Sequence, residues 1–552
     1  MSGNPEASLN AGQAALAEGR WSAAKASFQE ALDLYESAEA LSGLGEALWW
    51  LGETHDSVAF RERAYAEFRR RPEPVQATNI ALGLCVHYQA NMANKAVSAG
   101  WLARAKRLVD EFELDDFRGW LLLLEAGEAD DPALAEERAR QAQAIAGDSQ
   151  DLDLELCALA QRGSAVIKQG RIDEGLVLLD EAMAGSLGGE GGNFETVVFT
   201  SCEMIDSCAR CADFERAVQW IGAADRFTQH YGCPFLYIYC RTLYGSVLTA
   251  TGAWELAERE LRTALRQARA SQPALKSLAA ATLAELRIAQ GRIEEAERLL
   301  AGVEEQLNST AAVAMVHVAR KQFSLAESNL RRGLTSVEGN ELQNAVLREL
   351  LGEVEIARGK FDDAVAAGRR LATSGGALNC RLIVARGERL WGHALIGSGD
   401  VQEGRVHLEK AFAEFVRLGM PFERARTQLM LAEALLSIDP DVSTGEAGSA
   451  LTTFEDLGAG THADRAAALL RRLGVKAARA GPKGFGALTK REVEVLTLLG
   501  EGLSNPQIAE RLYLSRKTVE HHVAAILSKL GARNRAEAVA AAIRLEAKSA
   551  AE

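Results

Sequence analysis

The sequence predicts an all-α protein in which a long solenoid of helical hairpins precedes a small domain of four helices. Three observations support this fold class. Ala, Leu, Glu and Arg are abundant and only 10 of the 552 residues are Pro, a composition that favours helix. A short phrase of residues recurs about every forty residues, which indicates a repeat array. The last sixty or so residues lack that phrase and carry four separate helix-start signals.

The recurring phrase consists of one residue that is usually Gly, a polar residue, a large apolar residue, two spacers, and then Ala or Gly. Its eight clearest copies begin at Gly19, Gly170, Ala212, Gly252, Gly291, Lys321, Gly359 and Gly399. From Ile172 onward the large apolar residues lie 42, 40, 39, 30, 38 and 40 residues apart. Self-similarity at such a period is typical of stacked helical hairpins.

Each position of the phrase has a physical role. The first residue ends one helix, where a positive φ costs Gly little. The large apolar residue opens the next helix and packs back across the turn. The small residue three positions later lets the paired helix come close. Because one hairpin cannot bury its own apolar face, stacked neighbours complete the core. Seven tryptophans are candidates to line a groove, although we expect most of them to pack in the core: Trp49, Trp50, Trp101, Trp120, Trp220, Trp254 and Trp391.

On these residues the array, residues 1–474, resembles tetratricopeptide repeats in a degenerate form with a period above the usual 34 residues. The long, irregular repeats are similar to the sensor regions of large ATP-dependent bacterial activators of the maltose-regulon type. The sequence contains no Gly-x-x-x-x-Gly-Lys-Ser/Thr, so we do not expect the ATPase module of those activators. The Gly-rich stretch at 185–193 predicts a break in the array or a flexible loop.

Charge is distributed unevenly along the chain. The net charge is −14, but residues 485–552 hold 10 Lys and Arg against 8 Asp and Glu, a net of +2. The remainder is therefore 52 against 68, a net of −16. This asymmetry favours one DNA-contacting module over a protein that binds nucleic acid along its whole surface. With neither a membrane span nor a secretory signal in the sequence, we expect a cytoplasmic protein that does not contact a membrane.

Chemistry-bearing residues form no catalytic pattern. The nine His and the carboxylates show neither metal-ligand spacing nor a nucleophile–base pair, so we expect no enzyme activity, metal or cofactor. Five of the eight Cys fall between Cys202 and Cys240, and Cys208 and Cys211 form a single Cys-x-x-Cys pair. Buried reduced thiols are the favoured interpretation, and a metal or redox site is the alternative.

The C-terminal segment predicts a helix-turn-helix. A linker rich in Gly and basic residues spans 475–487, and a domain of four helices follows at 488–548. Thr489, Ser504 and Asn534 each begin a capping-box pattern. A short second helix at about 505–512 is followed, after a tight turn, by a third helix at about 516–530 that Ser515 can cap. The third helix has an apolar stripe and an opposite polar face.

This segment resembles the LuxR/NarL-type DNA-binding domain over about sixty residues without a gap. The resemblance rests on Leu488 to Glu492, Gly502 to Asn505, Ile508-Ala509, Leu514 to His522, Lys529-Leu530 and Asn534 to Ala536.

The resemblance implies a role for each matching residue. Glu520, His521 and Ala524 match the positions that face base edges in the major groove, although the family's usual Lys is missing there. The positions suited to phosphate contacts are Thr489, Asn505, Ser515, Arg516, Lys517, Thr518 and Lys529, with Arg533 and Arg535 as additions. The last helix, 534–547, matches the usual dimer contact. The expected partners are double-stranded DNA, a second copy of the chain, an unknown effector at the repeats and, as a further candidate, RNA polymerase.

Two functional readings follow. The first is a transcriptional regulator whose repeat array binds a small molecule or a protein and controls the DNA-binding domain. The second is a repeat scaffold for protein assembly with a vestigial C-terminal domain. The missing Lys on the recognition face favours the scaffold, whereas the intact capping and core residues favour the regulator.

Overall fold

The computed structural model describes residues 4–271, 273–336, 341–475, 490–512, 514–530, 532 and 537–539. Regular secondary structure in these ranges is helical throughout, and no strand occurs in them. The predicted all-α class is confirmed. The chain divides into two compact units, Met1–Thr427 and Gln428–Glu552. The predicted linker between the two domains, 475–487, lies almost entirely within residues 476–489, which are outside the described ranges. The predicted domain boundaries at 474 and 488 therefore stay predictions.

Twenty-five helices precede residue 476 in the described chain, with short 3-10 turns at Asp115–Phe117 and Leu307–Ser309. The helices are α1 Pro5–Ala17, α2 Trp21–Leu34, α3 Ala38–Trp50, α4 Thr54–Arg70, α5 Pro74–Ala90, α6 Lys95–Glu111, α7 Arg118–Glu128, α8 Pro132–Ser149, α9 Leu152–Lys168, α10 Ile172–Gly188, α11 Phe194–Cys211, α12 Phe214–Tyr231, α13 Pro234–Ala250, α14 Trp254–Ser271, α15 Pro273–Ala289, α16 Ile293–Leu300, α17 Thr310–Ala319, α18 Phe323–Ser336, α19 Glu341–Ala357, α20 Phe361–Ala377, α21 Arg381–Ser398, α22 Val401–Arg417, α23 Pro421–Leu435, α24 Pro440–Leu457 and α25 Gly460–Arg472.

Contacts between helices follow the order of the chain. Most helices pack against the one before and the one after. From α7 to α21, each odd-numbered helix also packs against the next odd-numbered helix. This pattern is that of helical hairpins stacked in a row, with the odd-numbered helices forming one continuous layer. The predicted helical-repeat array is therefore present.

The recurring phrase marks the turns of the array. Its first residue has a positive φ in all eight copies, from +60° at Lys321 to +105° at Gly399. Its large apolar residue is in every copy the first residue of an even-numbered helix, as with Trp21 in α2 and Ile172 in α10. Six of the eight turns use Gly, for which a left-handed backbone is unstrained. The predicted positive φ at the first position and the predicted helix start at the large apolar residue are confirmed.

The small residue of the phrase allows close helix approach. A Cβ placed on Gly175 in α10 would lie 2.5 Å from the Gly163 carbonyl oxygen in α9. A Cβ on Gly404 in α22 would lie 2.7 Å from the Gly392 carbonyl oxygen in α21. Real side chains do not tolerate these distances. The backbones of these paired helices are therefore in direct contact.

The 30-residue interval between Ile293 and Phe323 also has a structural explanation. Helix α16 contains 8 residues and α17 contains 10, whereas α15 and α19 contain 17 each. One hairpin is shortened, and the stacking of α15, α17 and α19 continues through it.

The Gly-rich stretch at 185–193 is partly helical. Helix α10 continues through Gly188, and α10 and α11 pack against each other across the connection. The carboxylate of Asp153 accepts hydrogen bonds from the backbone amides of Gly192 and Asn193 at 3.0 and 3.1 Å. Whether the array divides functionally at this point stays a prediction.

Within the first unit, residues far apart in the chain also come together. The Trp21 indole donates a hydrogen bond to the Tyr231 carbonyl. The Ala274 amide donates to the Asn91 carbonyl at 2.9 Å. One hydrophobic cluster joins residues between Leu159 and Val247 to residues between Leu342 and Leu390. The array therefore curls back on itself inside this unit, which encloses part of the layer formed by the odd-numbered helices.

A group of charged residues around α19 and α21 in that layer is paired. Arg389 on α21 is 1% exposed and donates to Glu349 at 2.5 Å, and it also contacts Glu423. Arg386 donates to the other oxygen of Glu349 at 2.6 Å. Burial opposes ionisation of Glu423, but Arg389 and Arg426 hold the pKa of its carboxyl far below the usual range.

The cysteines are all free thiols. Burial raises the pKa of Cys202, Cys208 and Cys240 well above that of an exposed thiol, so these groups stay protonated at neutral pH. In the described part of the chain, no three His, Cys, Asp or Glu side chains are grouped as a metal ion would require. None of the helices in those ranges is long and apolar enough to cross a membrane.

The contact between α21 and α22 predicts opposite effects for two Gly substitutions. Gly404→Ala should lower the free energy of unfolding by about 1–3 kcal/mol, because the new methyl group forces the helices apart. Gly222→Ala should raise it by roughly 0.5–1 kcal/mol, because Gly222 lies inside α12 with nothing within 4 Å of the added Cβ. Thermal and denaturant unfolding of both variants measure this, and equal effects would contradict the proposed close approach.

A second prediction concerns the pH dependence of stability. Burial raises the pKa of Glu285 on α15 to about 7, and Arg386 offsets only part of this rise. When the pKa of a carboxyl is higher in the folded state than in the unfolded state, the free energy of unfolding of the protein decreases as pH rises from the unfolded pKa to the folded pKa. Glu285→Gln should therefore raise the unfolding midpoint more at pH 8 than at pH 5.

Glu181→Gln on the exposed face of α10 serves as the control. It should produce the same small effect at both pH values. An equal increment for Glu285→Gln at pH 5 and pH 8 would show that its carboxyl ionises normally in the folded protein.

Candidate nucleic-acid interface

Three helices at the C-terminal end of the second unit form their own core. They are α26 Lys490–Gly500, α27 Asn505–Arg511 and α28 Arg516–Leu530. The buried members of this core are Val495, Leu496, Leu498, Leu499, Ile508, Ala509, Val519, Ile526 and Ala538. The limits of the second and third predicted helices agree with α27 and α28 to within one residue.

Polar side chains define where α27 and α28 begin. At α27 the Ser504 backbone amide donates to the Gln507 side-chain oxygen at 2.8 Å, which is the reciprocal bond of a capping box. At α28 the Ser515 hydroxyl accepts a hydrogen bond from the Thr518 amide at 3.1 Å. Both predicted caps are confirmed. The other two predicted caps, Thr489 and Asn534, lie outside the described residues.

The turn between α27 and α28 is held from both sides. The Leu514 amide donates to the Ala509 carbonyl at 2.8 Å. The Arg491 guanidinium on α26 donates to the Leu512 carbonyl at 2.6 Å and pairs with Glu494 at 2.6 Å. Arg491 thus joins the first helix to the turn. This role was not predicted from the sequence because Arg491 and Leu512 are 21 residues apart in the chain.

Helix α28 has two different faces, as predicted. Val519 and Ile526 are fully buried in the core, and Val523, Leu527 and Leu530 are packed against it. The opposite face is exposed at Lys517, Glu520, His521 and Ala524. A short helix, a tight capped turn and a longer helix with one exposed face make a helix-turn-helix.

One ion pair crosses the exposed face of α28. The Arg516 Nε donates to Glu520 Oε1 at 2.9 Å, with both side chains largely in solvent. From the sequence, Arg516 is expected to contact a DNA phosphate and Glu520 a base edge. The contact between the two side chains was not predicted. The i to i+4 spacing of opposite charges on one helix was the signal that could have predicted it.

The other predicted DNA-contacting residues fall into two groups. Ser515 and Thr518 lie together at the start of α28 with their hydroxyl oxygens 2.7 Å apart, Lys517 is exposed beside them, and Asn505 is the half-buried first residue of α27. Thr489, Arg533, Arg535 and the side chain of Lys529, which were also predicted to contact DNA, lie outside what the structure describes. Of the predicted last helix, 534–547, only residues 537–539 are described, and they are helical. The DNA contacts of all these residues stay predictions.

Comparison with known families identifies this helix-turn-helix. Residues 486–542 match the GerE model, described as bacterial regulatory proteins of the luxR family. The match covers α26, α27 and α28. The C-terminal segment is therefore a LuxR-family helix-turn-helix domain.

Two curated relatives illustrate the extent of the similarity. The transcriptional regulatory protein LnrK of Bacillus subtilis is 51% identical over 57 residues, which are 10% of this chain and 26% of that protein. The DNA-binding transcriptional activator DevR/DosR of Mycobacterium tuberculosis is 35% identical over 127 residues, 22% of this chain and 56% of that protein. The chain thus spans between a quarter and just over half of the length of these relatives. Both relatives carry the names of transcriptional regulators.

Two solved structures are similar in fold to larger parts of the chain. The APC/C hetero-tetramer Cut9-Hcn1 aligns with a TM-score of 0.42 and 12% identity, covering 84% of this chain and 96% of that one. A Rap protein complexed with Competence and Sporulation Factor aligns with a TM-score of 0.36 and 13% identity, covering 58% of this chain and 97% of that one.

Proposed function

We propose that this chain is a sequence-specific DNA-binding transcriptional regulator whose repeat region binds an effector or a partner protein and controls the C-terminal domain. The observation that carries the proposal is the exposed face of α28 behind its capped turn, in a segment similar to LuxR-family domains. Helix α28 enters the major groove, and a second copy of the chain occupies the other half of a two-fold site.

Contacts to DNA divide into two kinds in this proposal. Asn505, Ser515, Lys517 and Thr518 contact phosphates and set the position of the domain without reading sequence. His521 and Glu520 face base edges, where a carboxylate accepts a hydrogen bond from the amino group of cytosine. Because Glu520 is bonded to Arg516, that bond is exchanged for DNA contacts when the domain docks.

The repeat region supplies control. Residues 1–484, which hold the repeats and part of the linker, carry a net charge of −16 against +2 for residues 485–552, and such an acidic region in the same chain opposes the approach of DNA. An effector relieves this opposition only if it binds the DNA-competent form more tightly than the other form. We propose that the layer of odd-numbered helices in the array provides the binding surface.

The first test selects random DNA duplexes with the purified full-length protein at several salt concentrations. We expect an inverted repeat to be enriched, and the double variant Lys517→Ala/Thr518→Ala to bind it at least tenfold more weakly. The salt slope should be smaller in this variant by about one ion, because one phosphate contact of Lys517 is lost. Arg69→Ala, on the exposed side of α4, is the control and should bind like the wild type.

The same selection with the segment 485–552 tests the control by the repeat region. Tighter binding by the segment than by the full chain supports masking by the acidic array. Equal DNA affinity of the segment and the full chain contradicts masking by the array, but it is still consistent with a DNA-binding regulator. No enrichment from either protein contradicts DNA binding and favours the alternative, a repeat scaffold with a vestigial C-terminal domain.

A second test addresses base reading by Glu520. Glu520→Gln and Glu510→Gln each remove one negative charge, the first on the exposed face of α28 and the second on the exposed side of α27. Both should raise non-specific affinity slightly, since repulsion from phosphates falls. Only Glu520→Gln should change the preferred base at one position of each half-site, by about 1–3 kcal/mol in discrimination. Identical selected sequences for both variants and the wild type would exclude Glu520 from base reading.

A further inference from the structure

One buried cation of the repeat array lacks the partner that the others have. Arg61 on α4 is 8% exposed. Within the described residues its guanidinium makes neither a hydrogen bond nor a close ion pair, and it only faces the Glu195 carboxyl at longer range. By contrast, Arg287 and Arg389, each 1% exposed, contact the carboxylates of Glu258 at 2.6 Å and Glu349 at 2.5 Å. An unpaired buried charge is costly, so Arg61 requires a separate explanation.

Two glycines let Arg61 lie between α3 and α5. A Cβ on Gly45 of α3 would be 2.7 Å from Arg61 Cγ, and a Cβ on Gly83 of α5 would be 2.9 Å from Arg61 Nη1. The side chain from the even-numbered helix α4 therefore runs across one odd-numbered helix and ends against the next. Its charged group therefore lies against α5, an odd-numbered helix that precedes the α7 to α21 layer in the chain.

Further unpartnered groups lie one and two helical turns beyond these glycines. Trp49 on α3 and His87 on α5 stack with ring centroids 5.4 Å apart and planes 8° apart. Trp49 Nε1, His87 Nδ1 and Asn91 Nδ2 are buried and have no hydrogen-bond partner in the described part of the chain. The three side chains are 7%, 2% and 1% exposed. Since buried polar groups are normally satisfied, this cluster is suited to a ligand that brings acceptor atoms.

The surroundings restrict the charge of that ligand. Burial lowers the pKa of His87 and Arg61 lowers it further, so the imidazole is neutral and adds no charge. Glu195 on α11 and Glu46 on α3 are half-buried nearby, and burial raises the pKa of Glu195 while Arg61 counteracts the rise. Because these two carboxyl groups compete with a ligand for the single guanidinium, the ligand can carry at most one negative charge. The Phe235 ring, 6.5 Å from Trp49, adds an apolar wall.

We propose that Arg61, Trp49, His87 and Asn91 form a binding site for the carboxylate of a monoanionic ligand that carries a flat apolar group. The planar guanidinium takes the two carboxylate oxygens. The indole and amide N–H groups of Trp49 and Asn91 donate to the ligand, and the aromatic rings contact its apolar part. The binding itself is independent of the function proposed above. The further claim that this is the effector site of the regulator rests on that function.

The test measures thermal unfolding of the full chain with simple probes at constant ionic strength. Sodium benzoate and sodium phenylacetate supply the carboxylate and the ring, and benzamide is the neutral control. The tripeptide Ala-Ala-Phe, with a free or an amidated C-terminus, tests whether the C-terminal carboxylate of a peptide can bind at the same site. We expect the carboxylates, but not benzamide or the amidated peptide, to raise the midpoint by roughly 1–2 °C at saturating concentration.

Variants connect that shift to the site. Arg61→Met should raise the midpoint of the ligand-free protein, because the unpaired charge is removed, and should abolish the benzoate shift. Trp49→Phe keeps a ring but removes the Nε1 donor, so the benzoate shift should shrink. Arg104→Met is the control, since Arg104 is an exposed Arg near the Tyr65 and Trp101 rings, and its benzoate shift should equal that of the wild type.

The outcomes separate this inference from the proposed function. A benzoate shift that survives in Arg61→Met, an equal shift with benzamide, or no shift with any carboxylate probe overturns the site. A shift that depends on Arg61, without any change in affinity for the selected DNA, retains the site and overturns its role as the effector site. A protein that binds carboxylates through Arg61 but selects no DNA overturns the proposed regulator and leaves the site intact.

Discussion

The close approach of paired helices is the constraint on which the rest of the array depends. Backbone contact between α21 and α22 requires Gly392 and Gly404 to face each other, and α9 and α10 meet in the same way through Gly163 and Gly175. Because a single hairpin buries only part of its apolar surface, the next hairpin must cover the remainder. Within the first unit this requirement extends further, since residues between Leu159 and Val247 share a core with residues between Leu342 and Leu390.

That enclosed interior determines how its polar groups behave. Arg389 and Glu349 are removed from water but form an ion pair with each other, so each buried charge has an opposite charge beside it. The cysteines of the same region are protonated thiols that pack as small apolar side chains. Arg61 differs from both groups because its guanidinium, held between two glycines, makes no hydrogen bond or close ion pair in the described residues and only faces the Glu195 carboxyl at longer range. A group kept buried and unpaired indicates a ligand more strongly than a well-paired group of the same type.

The C-terminal domain relies on different means at a smaller scale. Its helices are short, and capping by Ser504 and Ser515 together with the Arg491 contact to the turn stabilises their ends. The core side of α28 is fully engaged, which leaves one face for recognition. On that face Arg516 and Glu520 neutralise each other, so the ligand-free surface presents less charge than its residues suggest.

Local sequence determined the helices, their turns and the helix-turn-helix, because these features depend on residues close together in the chain. A positive φ at the first position of each phrase, an apolar residue opening each even-numbered helix, and Ser caps before α27 and α28 are all visible in a few neighbouring residues. The Arg516–Glu520 pair was also within reach of the sequence through its i to i+4 spacing. Only the tertiary structure decided which distant helices share a core, and which buried charges find partners. Arg61, Trp49 and His87 come from three helices with no shared motif, and only the packing of those helices shows that the guanidinium of Arg61 has no partner while that of Arg389 has two.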